Sequence, residues 1–171
     1  MQAFRWLVEE NKDILLSLAQ SILKDKSWAE DVLQDALIKV FQKINSFRGN
    51  STFRSWLYRI IINTSYNALK KRKTYQEHRQ AANEEQLNFS ESKNPLGREE
   101  RKLYIQQALD RLKADEALLL RLYYLCELNI AEIAASTGFK KAKIKTDLFR
   151  GRNNFKTELE GILGHEIQEI L

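Results

Sequence analysis

Hydrophobic residues recur every three or four positions along most of this chain, which is the spacing of amphipathic helices. The spacing predicts a first helix over 3–24 and a second that begins at Ser27–Glu30, which has the pattern of a capping box. Gly and Asn interrupt the pattern at 47–52, so we expect a turn there, with Thr52 or Ser51 capping a third helix. With one proline and six glycines in 171 residues, we predict an all-α fold without a sheet.

The periodicity stops after Lys73, where Asn, Gln, Glu and Ser accumulate ahead of the single proline, Pro95. A stretch of this length is long for a loop inside a compact domain. The pattern therefore predicts two small helical domains, 1–74 and 98–171, joined by a flexible linker at 75–97.

Beyond the linker, the pattern predicts a helix over 98–112 and another from Asp115. A second capping box at Asn129–Glu132 begins a short helix that stops at Gly138, and a longer basic helix follows. This order is typical of a helix-turn-helix unit, although helical hairpins that do not contact DNA share much of it. The residues expected in the core of this half are Leu103, Ala108, Leu109, Leu112, Leu118, Leu119, Leu122, Tyr123, Cys126, Ile130, Ile133, Ala134, Phe139, Ile144, Leu148 and Phe155.

Composition and charge narrow the classes of function. The net charge of +5 is concentrated in two basic islands, +7 over 48–79 (eight basic, one acidic) and +5 over 128–157 (seven basic, two acidic). Such islands are typical of contacts with a phosphate backbone, although solvated faces also produce them. Because no segment has the length of a membrane span and the N-terminus lacks the order of a signal peptide, we expect a soluble chain without membrane insertion.

The third helix has one apolar face, anchored by Trp56, and one polar, aromatic face. Rings that stack on bases, together with a positive groove, bind opened or single-stranded nucleic acid. A core helix with a solvated face and a basic end explains the same residues equally well. The polar face carries Arg54, Tyr58, Arg59, Asn63, Tyr66 and Asn67, and the helix ends in Lys70, Lys71, Arg72 and Lys73.

The second helix has an acidic exposed side opposite its buried stripe. Asp31 and Asp35 are four residues apart, so their charges repel unless a partner meets them. This repulsion hints at a docking surface, but solvated acidic faces are common. The exposed side comprises Asp31, Gln34, Asp35, Ile38 and Lys39, and the buried stripe comprises Trp28, Val32, Leu33, Leu37, Val40, Phe41 and Ile44.

The last long helix has an outer face suited to the major groove of DNA and its phosphates. This face comprises Lys140, Lys141, Lys143, Lys145, Thr146, Phe149, Arg150 and Arg152.

Catalytic chemistry is missing from the sequence. His78 and His165 have no cysteine or carboxylate at metal-ligand spacing, and Ser136 belongs to a turn and not to a nucleophile motif. The single Cys126 excludes an intramolecular disulfide. We expect no enzyme activity, no metal and no cofactor.

Three stretches in this order resemble a known family. WAEDVLQDALIKVFQKINSFRG, FRGNSTFRSWLYRIIINTSYNALKKRK and LNIAEIAASTGFKKAKIKTDLFRGR are similar to the polymerase-binding, promoter-opening and helix-turn-helix segments of the extracytoplasmic-function (ECF) group of bacterial RNA polymerase sigma factors. The resemblance extends from about Phe4 to Leu159. It implies a cytoplasmic transcription initiation factor that binds core RNA polymerase and promoter DNA, stabilises melted DNA, and has an anti-sigma factor as a further partner.

The resemblance also implies roles for individual residues. It makes Asp31, Gln34 and Asp35 polymerase contacts. It assigns reading of a flipped base at the minus-ten element to the loop 48–52 and Asn63, and the minus-thirty-five element to the last helix. Lys140 and Asp147 depart from the family pattern, which often has proline and a base there. The DNA-binding residues are then Arg48, Asn50, Ser51, Tyr58, Asn63, Lys140, Lys141, Lys143, Lys145, Thr146, Phe149 and Arg150.

Two other functions fit the residues. A stand-alone helix-turn-helix regulator would use 1–73 for dimerisation or sensing and would bind duplex DNA tightly without polymerase. A helical adaptor would bind proteins alone, with its basic faces solvated.

Overall fold

The computed structural model describes residues 2–77 and 98–164, and its side chains are described over 8–74 and 101–164. Within these ranges every regular element is a helix, which confirms the predicted all-α class. The predicted linker lies almost entirely outside the described residues. In chain order the elements are α1 (Gln2–Leu23), α2 (Lys26–Lys43), a 3₁₀ turn (Ile44–Ser46), α3 (Phe53–Glu77), α4 (Arg98–Arg111), α5 (Ala114–Leu120), a π-helical turn (Arg121–Leu125), α6 (Ile130–Thr137) and α7 (Lys141–Leu163).

Side-chain caps fix the helix starts, and one of them differs from the prediction. Helix α2 begins one residue before the predicted capping box, because the Asp25 carboxylate accepts a hydrogen bond from the Trp28 amide at 2.9 Å. The predicted cap at Thr52 is present, since its Oγ1 accepts from the Ser55 amide at 3.2 Å. The second capping box, Asn129 with Glu132, is confirmed in both directions.

Helices α1, α2 and α3 pack against each other around a core that excludes water. Leu15, Val40 and Ile61 contribute to it and are fully buried. Phe41 was expected in the same stripe but is 52% exposed, because α2 contacts its neighbours over a narrower face than the apolar pattern suggests. This three-helix unit carries the predicted promoter-opening helix, α3.

The C-terminal half is built mainly on the contact of α7 with α4 and α5. Ile144 and Leu148 of α7 are buried as predicted. Gly151 allows α7 to approach α5 closely, since a Cβ there would lie 3.3 Å from Cβ of Glu116. At the end of α6, Gly138 has the left-handed φ of +76° expected of a helix stop.

Two apolar residues of this half are exposed, contrary to prediction. Leu103 of α4 is 59% exposed and Tyr123 of the π-helical turn is 39% exposed. The π-helical turn changes the angular spacing of side chains along the chain, so a pattern read with a period of 3.6 residues assigns Tyr123 to the wrong face. No comparable local cause accounts for Leu103.

The two halves contact each other and share one continuous cluster of buried residues. Helix α1 packs on α5, and α3 packs on α6. Lys24 is central to this contact: it ends α1 with a φ of +58°, a conformation that costs an L-residue roughly 1 kcal/mol. Its ammonium donates to the carbonyls of Asp110 and Leu112 at 3.0 and 2.5 Å, which ties the end of α1 to the end of α4.

A buried ion pair lies beside this contact. Arg121 is fully buried, and its Nη2 lies 2.9 Å from Oδ1 of Asp110. Burial lowers the pKa of Arg121, while the charge and hydrogen bond of Asp110 oppose that shift. Because Gln20 of α1 also donates to Asp110, at 3.5 Å, the pair links the C-terminal half to the N-terminal half.

Candidate nucleic-acid interface

The loop before α3 is held by an aromatic cluster. The ring of Phe47 lies 5.5 Å from Phe53 and 5.4 Å from Trp56, measured between centroids. Gly49 has a φ of +73°, which a glycine adopts without strain and which lets the chain turn here. The predicted base-reading residues Arg48, Asn50 and Ser51 are exposed on this loop. A loop that is anchored by packed rings and carries exposed polar side chains can bind a nucleotide base that is extruded from the DNA stack.

The exposed side of α3 continues from this loop only in part. Arg54, Arg59 and Asn63 are exposed, as the sequence predicts. The expectation that Tyr58 lies on the same solvated face is wrong, because Tyr58 is only 2% exposed. Its side chain lies beside Cys126 of the C-terminal half, and burial raises the pKa of both groups, that of Cys126 to about 11.

Tyr66 lies on the same predicted face, further along α3, and also contacts the C-terminal half. Its hydroxyl donates to Oδ1 of Asp115 at 2.8 Å, and its ring lies 6.2 Å from that of Phe139. Burial raises the pKa of Tyr66, and the Asp115 carboxylate raises it further. The C-terminal half therefore covers two of the aromatic side chains that the sequence assigned to a nucleic-acid face.

On α2, the three predicted polymerase contacts Asp31, Gln34 and Asp35 are all exposed. Next to them the apolar side chain of Ile38 is 57% exposed, as predicted. Neither aspartate has an ion pair within the described residues.

A groove of about 690 Å³ separates this side of α2 from the basic end of α3. Arg72 lines the groove, with its guanidinium 4.6 Å from the centre of the Trp28 ring and 3.9 Å from the Asp25 carboxylate. Asp31 and Asp35 line one wall, and Asn67 and Lys71 line the other. The predicted polymerase-binding side and the basic end of the predicted promoter-opening helix thus line the same groove.

Helix α7 presents the predicted recognition face. Its predicted contacts Lys140, Lys141, Lys143, Lys145, Thr146, Phe149 and Arg150 are exposed. Phe149 is 65% exposed, and an exposed aromatic ring among basic side chains is suited to contact with thymine methyl groups. The basic side chains of α7 are not equivalent, however, because Lys143 forms ion pairs with Asp115 and with Asp147.

Asp115 is the residue that the sequence analysis missed. The pattern identified it only as a helix start, yet it accepts hydrogen bonds from Tyr66 and from Lys143, 49 positions before it and 28 after it. The pair of Lys143 with Asp147 has the i, i+4 spacing of a helical ion pair, so the sequence carried a signal for it. No local signal indicates the contact of Asp115 with Tyr66.

The described residues contain no cluster of three or more His, Cys, Asp or Glu that could hold a metal ion. His78 and His165 lie outside the described residues. None of the described helices has the length and apolar content needed to cross a membrane.

Comparison with known families matches both halves. Residues 7–75 match Sigma-70 region 2, and residues 102–154 match Sigma-70 region 4. RNA polymerase sigma factor YlaC of Bacillus subtilis is 32% identical over 133 residues, which is 77% of each chain. ECF RNA polymerase sigma factor SigW of the same organism is 28% identical over 94% of this chain and 90% of SigW.

Solved structures show the same arrangement of helices. The sigma factor RpoE, crystallised with the anti-sigma factor NepR from Bartonella quintana, is 25% identical with a TM-score of 0.72, over 94% of this chain and 98% of RpoE. CnrH, in complex with the cytosolic domain of CnrY, has a TM-score of 0.60 over 94% of this chain and 89% of CnrH. At 19% identity the second likeness concerns the fold alone.

Proposed function

The chain belongs to the ECF group of sigma-70 factors and is a transcription initiation factor that directs RNA polymerase to promoters, and on this premise we propose how its surfaces divide that work. The observation that supports the division is a separation of charge. An acidic side on α2, a polar loop before α3 and a basic face on α7 lie on three different elements. Each is suited to a different ligand.

The acidic side of α2 binds core polymerase in this proposal. Asp31, Gln34 and Asp35 contact the clamp helices of the largest subunit. Their exposure and the lack of an ion pair to either aspartate within the described residues support this role, because a basic partner can pair with both on docking.

The loop 48–52 and Asn63 read an unpaired base at the minus-ten element. A flipped base needs donors and acceptors for its edge, which Asn50, Ser51 and Asn63 offer from exposed positions. Binding the open strand in preference to the duplex stabilises melted DNA without any catalytic step. Tyr58 joins this surface only when the C-terminal half no longer covers it.

Helix α7 reads the minus-thirty-five element through phosphate contacts and the edges of bases in the major groove. Its basic residues supply affinity, while Thr146 and Phe149 supply contacts that distinguish bases. The departure at Asp147 affects this site, because its carboxylate holds Lys143 and reduces the positive charge available to DNA.

The remaining features follow from this division of work. The factor catalyses no reaction itself and acts in the cytoplasm, where core polymerase is found. Because the likeness to RpoE comes from a complex with the anti-sigma factor NepR, an anti-sigma factor is also proposed as a partner of this chain.

Transcription in vitro with core polymerase tests the proposal. Asn63→Ala should reduce open-complex formation about tenfold, the range expected when an edge contact to a base is lost, and leave polymerase binding unchanged. Asn153→Ala, at an exposed asparagine of α7 outside the predicted contacts, is the matched control. Equal loss of polymerase binding and open complexes in Asn63→Ala would contradict the base-reading role. Failure of the unmodified chain to bind core polymerase would contradict the docking role of α2.

A further inference from the structure

The groove between α2 and the end of α3 contains an aromatic ring that already holds a cation. The half-buried ring of Trp28 is part of the groove lining. The guanidinium of Arg72 lies 4.6 Å from the centre of that ring. A tryptophan ring attracts cations to its face, and arginine is the side chain most often found there. The Trp28 ring is therefore a preformed cation site, filled here by a side chain of the same chain.

Arg72 is held at this site by weak contacts. Its guanidinium lies 3.9 Å from the Asp25 carboxylate, and the two side chains are 49% and 45% exposed. An ion pair with that exposure contributes little to stability. Asp25 also keeps a separate role without Arg72, because its carboxylate accepts the hydrogen bond of the Trp28 amide that caps α2. Arg72 can therefore leave the ring at a small cost to the fold.

The charge next to the ring favours another cation as its ligand. Asp31 and Asp35 follow Trp28 at spacings of three and four residues, so they lie along the same side of α2 and line the groove with it. Both are exposed and have no ion pair within the described residues. Lys39 and Lys71 also line the groove, but their side chains are exposed and can extend into water. A phosphate is repelled by the two carboxylates, whereas a basic side chain can pair with them.

From this arrangement we infer that Trp28 belongs to the polymerase-binding surface, and that the groove receives one basic side chain of core polymerase. That side chain takes the place of Arg72 over the ring and pairs with Asp31 or Asp35. Arg72 thus competes with the partner for the ring, and its displacement is part of docking. The groove, of about 690 Å³, is continuous with the acidic side of α2. The inference rests on the polymerase-binding role proposed for that side.

Three substitutions test the site. Arg72→Ala removes the internal cation and leaves the ring uncovered. Trp28→Leu removes the cation site and keeps an apolar side chain against the core on which Trp28 packs. Lys73→Ala removes the same charge as Arg72→Ala from the next exposed position, which does not line the groove, and is the matched control.

The affinity of the full chain for labelled core polymerase is measured by titration at fixed salt. Arg72→Ala should raise this affinity about threefold, since the partner no longer has to displace an internal cation. Trp28→Leu should lower it about fivefold, the loss expected for one cation–π contact at a partly exposed site. Arg72→Ala should give no gain when Trp28→Leu is also present. Lys73→Ala should have little effect in either background.

The sign of the Arg72→Ala effect is decisive, because a contact that only stabilises the fold gives no gain in affinity when it is removed. No gain, or an equal gain from Lys73→Ala, would overturn the inference, and this comparison does not depend on how well Trp28→Leu folds. A gain that persists with Trp28→Leu would show that the ring is not the site. Normal polymerase affinity with fewer open complexes in Trp28→Leu would assign the groove to DNA instead.

The polymerase-binding role of α2 can fail separately. Asp31→Lys with Asp35→Lys reverses the acidic charge and leaves Trp28 and Arg72 unchanged. If this double variant binds core polymerase as tightly as the unmodified chain, the proposed role of α2 is wrong. If it binds weakly while Arg72→Ala gives no gain, only the cation site on Trp28 is wrong.

Discussion

The acidic side of α2 and the basic face of α7 are both charged, exposed helix surfaces, yet they are prepared differently for their partners. Asp31 and Asp35 of α2 have no ion pair within the described residues. On α7, in contrast, Lys143 contacts two carboxylates, one of them on another helix. Asp31 and Asp35 can dock without breaking an ion pair of the described residues, whereas Lys143 of α7 has to exchange an internal anion for an external one.

The difference matters because both surfaces belong to one initiation factor. A surface free of internal pairs gives a partner the full attraction of its charges, while a paired surface gives only the difference between two similar bonds. We therefore expect Asp31 and Asp35 to bind polymerase without losing an ion pair of the described residues, and Lys143 to contribute less to duplex binding than the other basic residues of α7. Three predictions test this contrast, in order of expected effect.

The largest effect is expected at α2. Asp31→Lys with Asp35→Lys should weaken polymerase binding by at least thirtyfold, because two favourable charges become repulsive at an interface. Both side chains are exposed, so helix content and melting temperature should stay unchanged. Binding is measured by titrating labelled core polymerase. Glu9→Lys with Asp13→Lys makes the same charge change on exposed positions of α1, and similar losses in both variants would show a general charge effect and not a docking surface.

A smaller effect is expected when exposed basic side chains of α7 other than Lys143 are removed. Lys145→Ala with Arg150→Ala should lower duplex affinity about tenfold and reduce the slope of log affinity against log salt by about two, since two phosphate contacts are lost. Fluorescence anisotropy across a salt series measures both quantities. Lys156→Ala removes an exposed base that is paired with Glu160 and should have little effect. An unchanged salt slope in the double variant would contradict phosphate contact by this face.

The smallest effect concerns Lys24, which helps to hold the halves together. Burial lowers the pKa of Lys24 from 10.5 to about 8, against the opposing charge of Asp110. The depressed value means that the charged form is penalised in the closed chain, so stability is lowest below pH 8 and increases as the pH rises towards 10.5. Between pH 8 and about 9.5 the free energy of unfolding should rise by on the order of 1 kcal/mol, because partial solvation reduces the full effect.

Urea unfolding at a series of pH values measures this change. Lys24→Met should remove the rise, while Lys26→Met, at an exposed position two residues on, should keep it. The raised pKa of Cys126, about 11, opposes this rise above pH 9 equally in the unmodified chain and in Lys24→Met, so the difference between the two chains isolates Lys24. The series stops below pH 10, because the stabilisation from the raised pKa values of Tyr58 and Tyr66 is lost at higher pH. Parallel curves for the unmodified chain and Lys24→Met would contradict the assignment to Lys24.

Local physics made much of the fold predictable. Apolar spacing identified the helices, and Asn129, Glu132 and Gly138 identified the start and stop of α6, because caps act within one turn. The exposed placement of Asp31, Asn63 and Phe149 followed from the same spacing. Errors occurred where local rules competed, as at the cap of α2, where Asp25 and Ser27 are both good caps and Asp25 is used.

The sequence by itself therefore determined the helices, the charged surfaces and the family to which their order belongs. Only the tertiary structure decided that Tyr58 is covered, that Lys24 reaches the carbonyls of Asp110 and Leu112, and that Asp115 holds Tyr66 and Lys143. Helical periodicity states which side of a helix is apolar, but it does not state which distant helix covers that side. Contacts between residues tens of positions apart depend on how whole helices pack, and no short stretch of sequence records that packing.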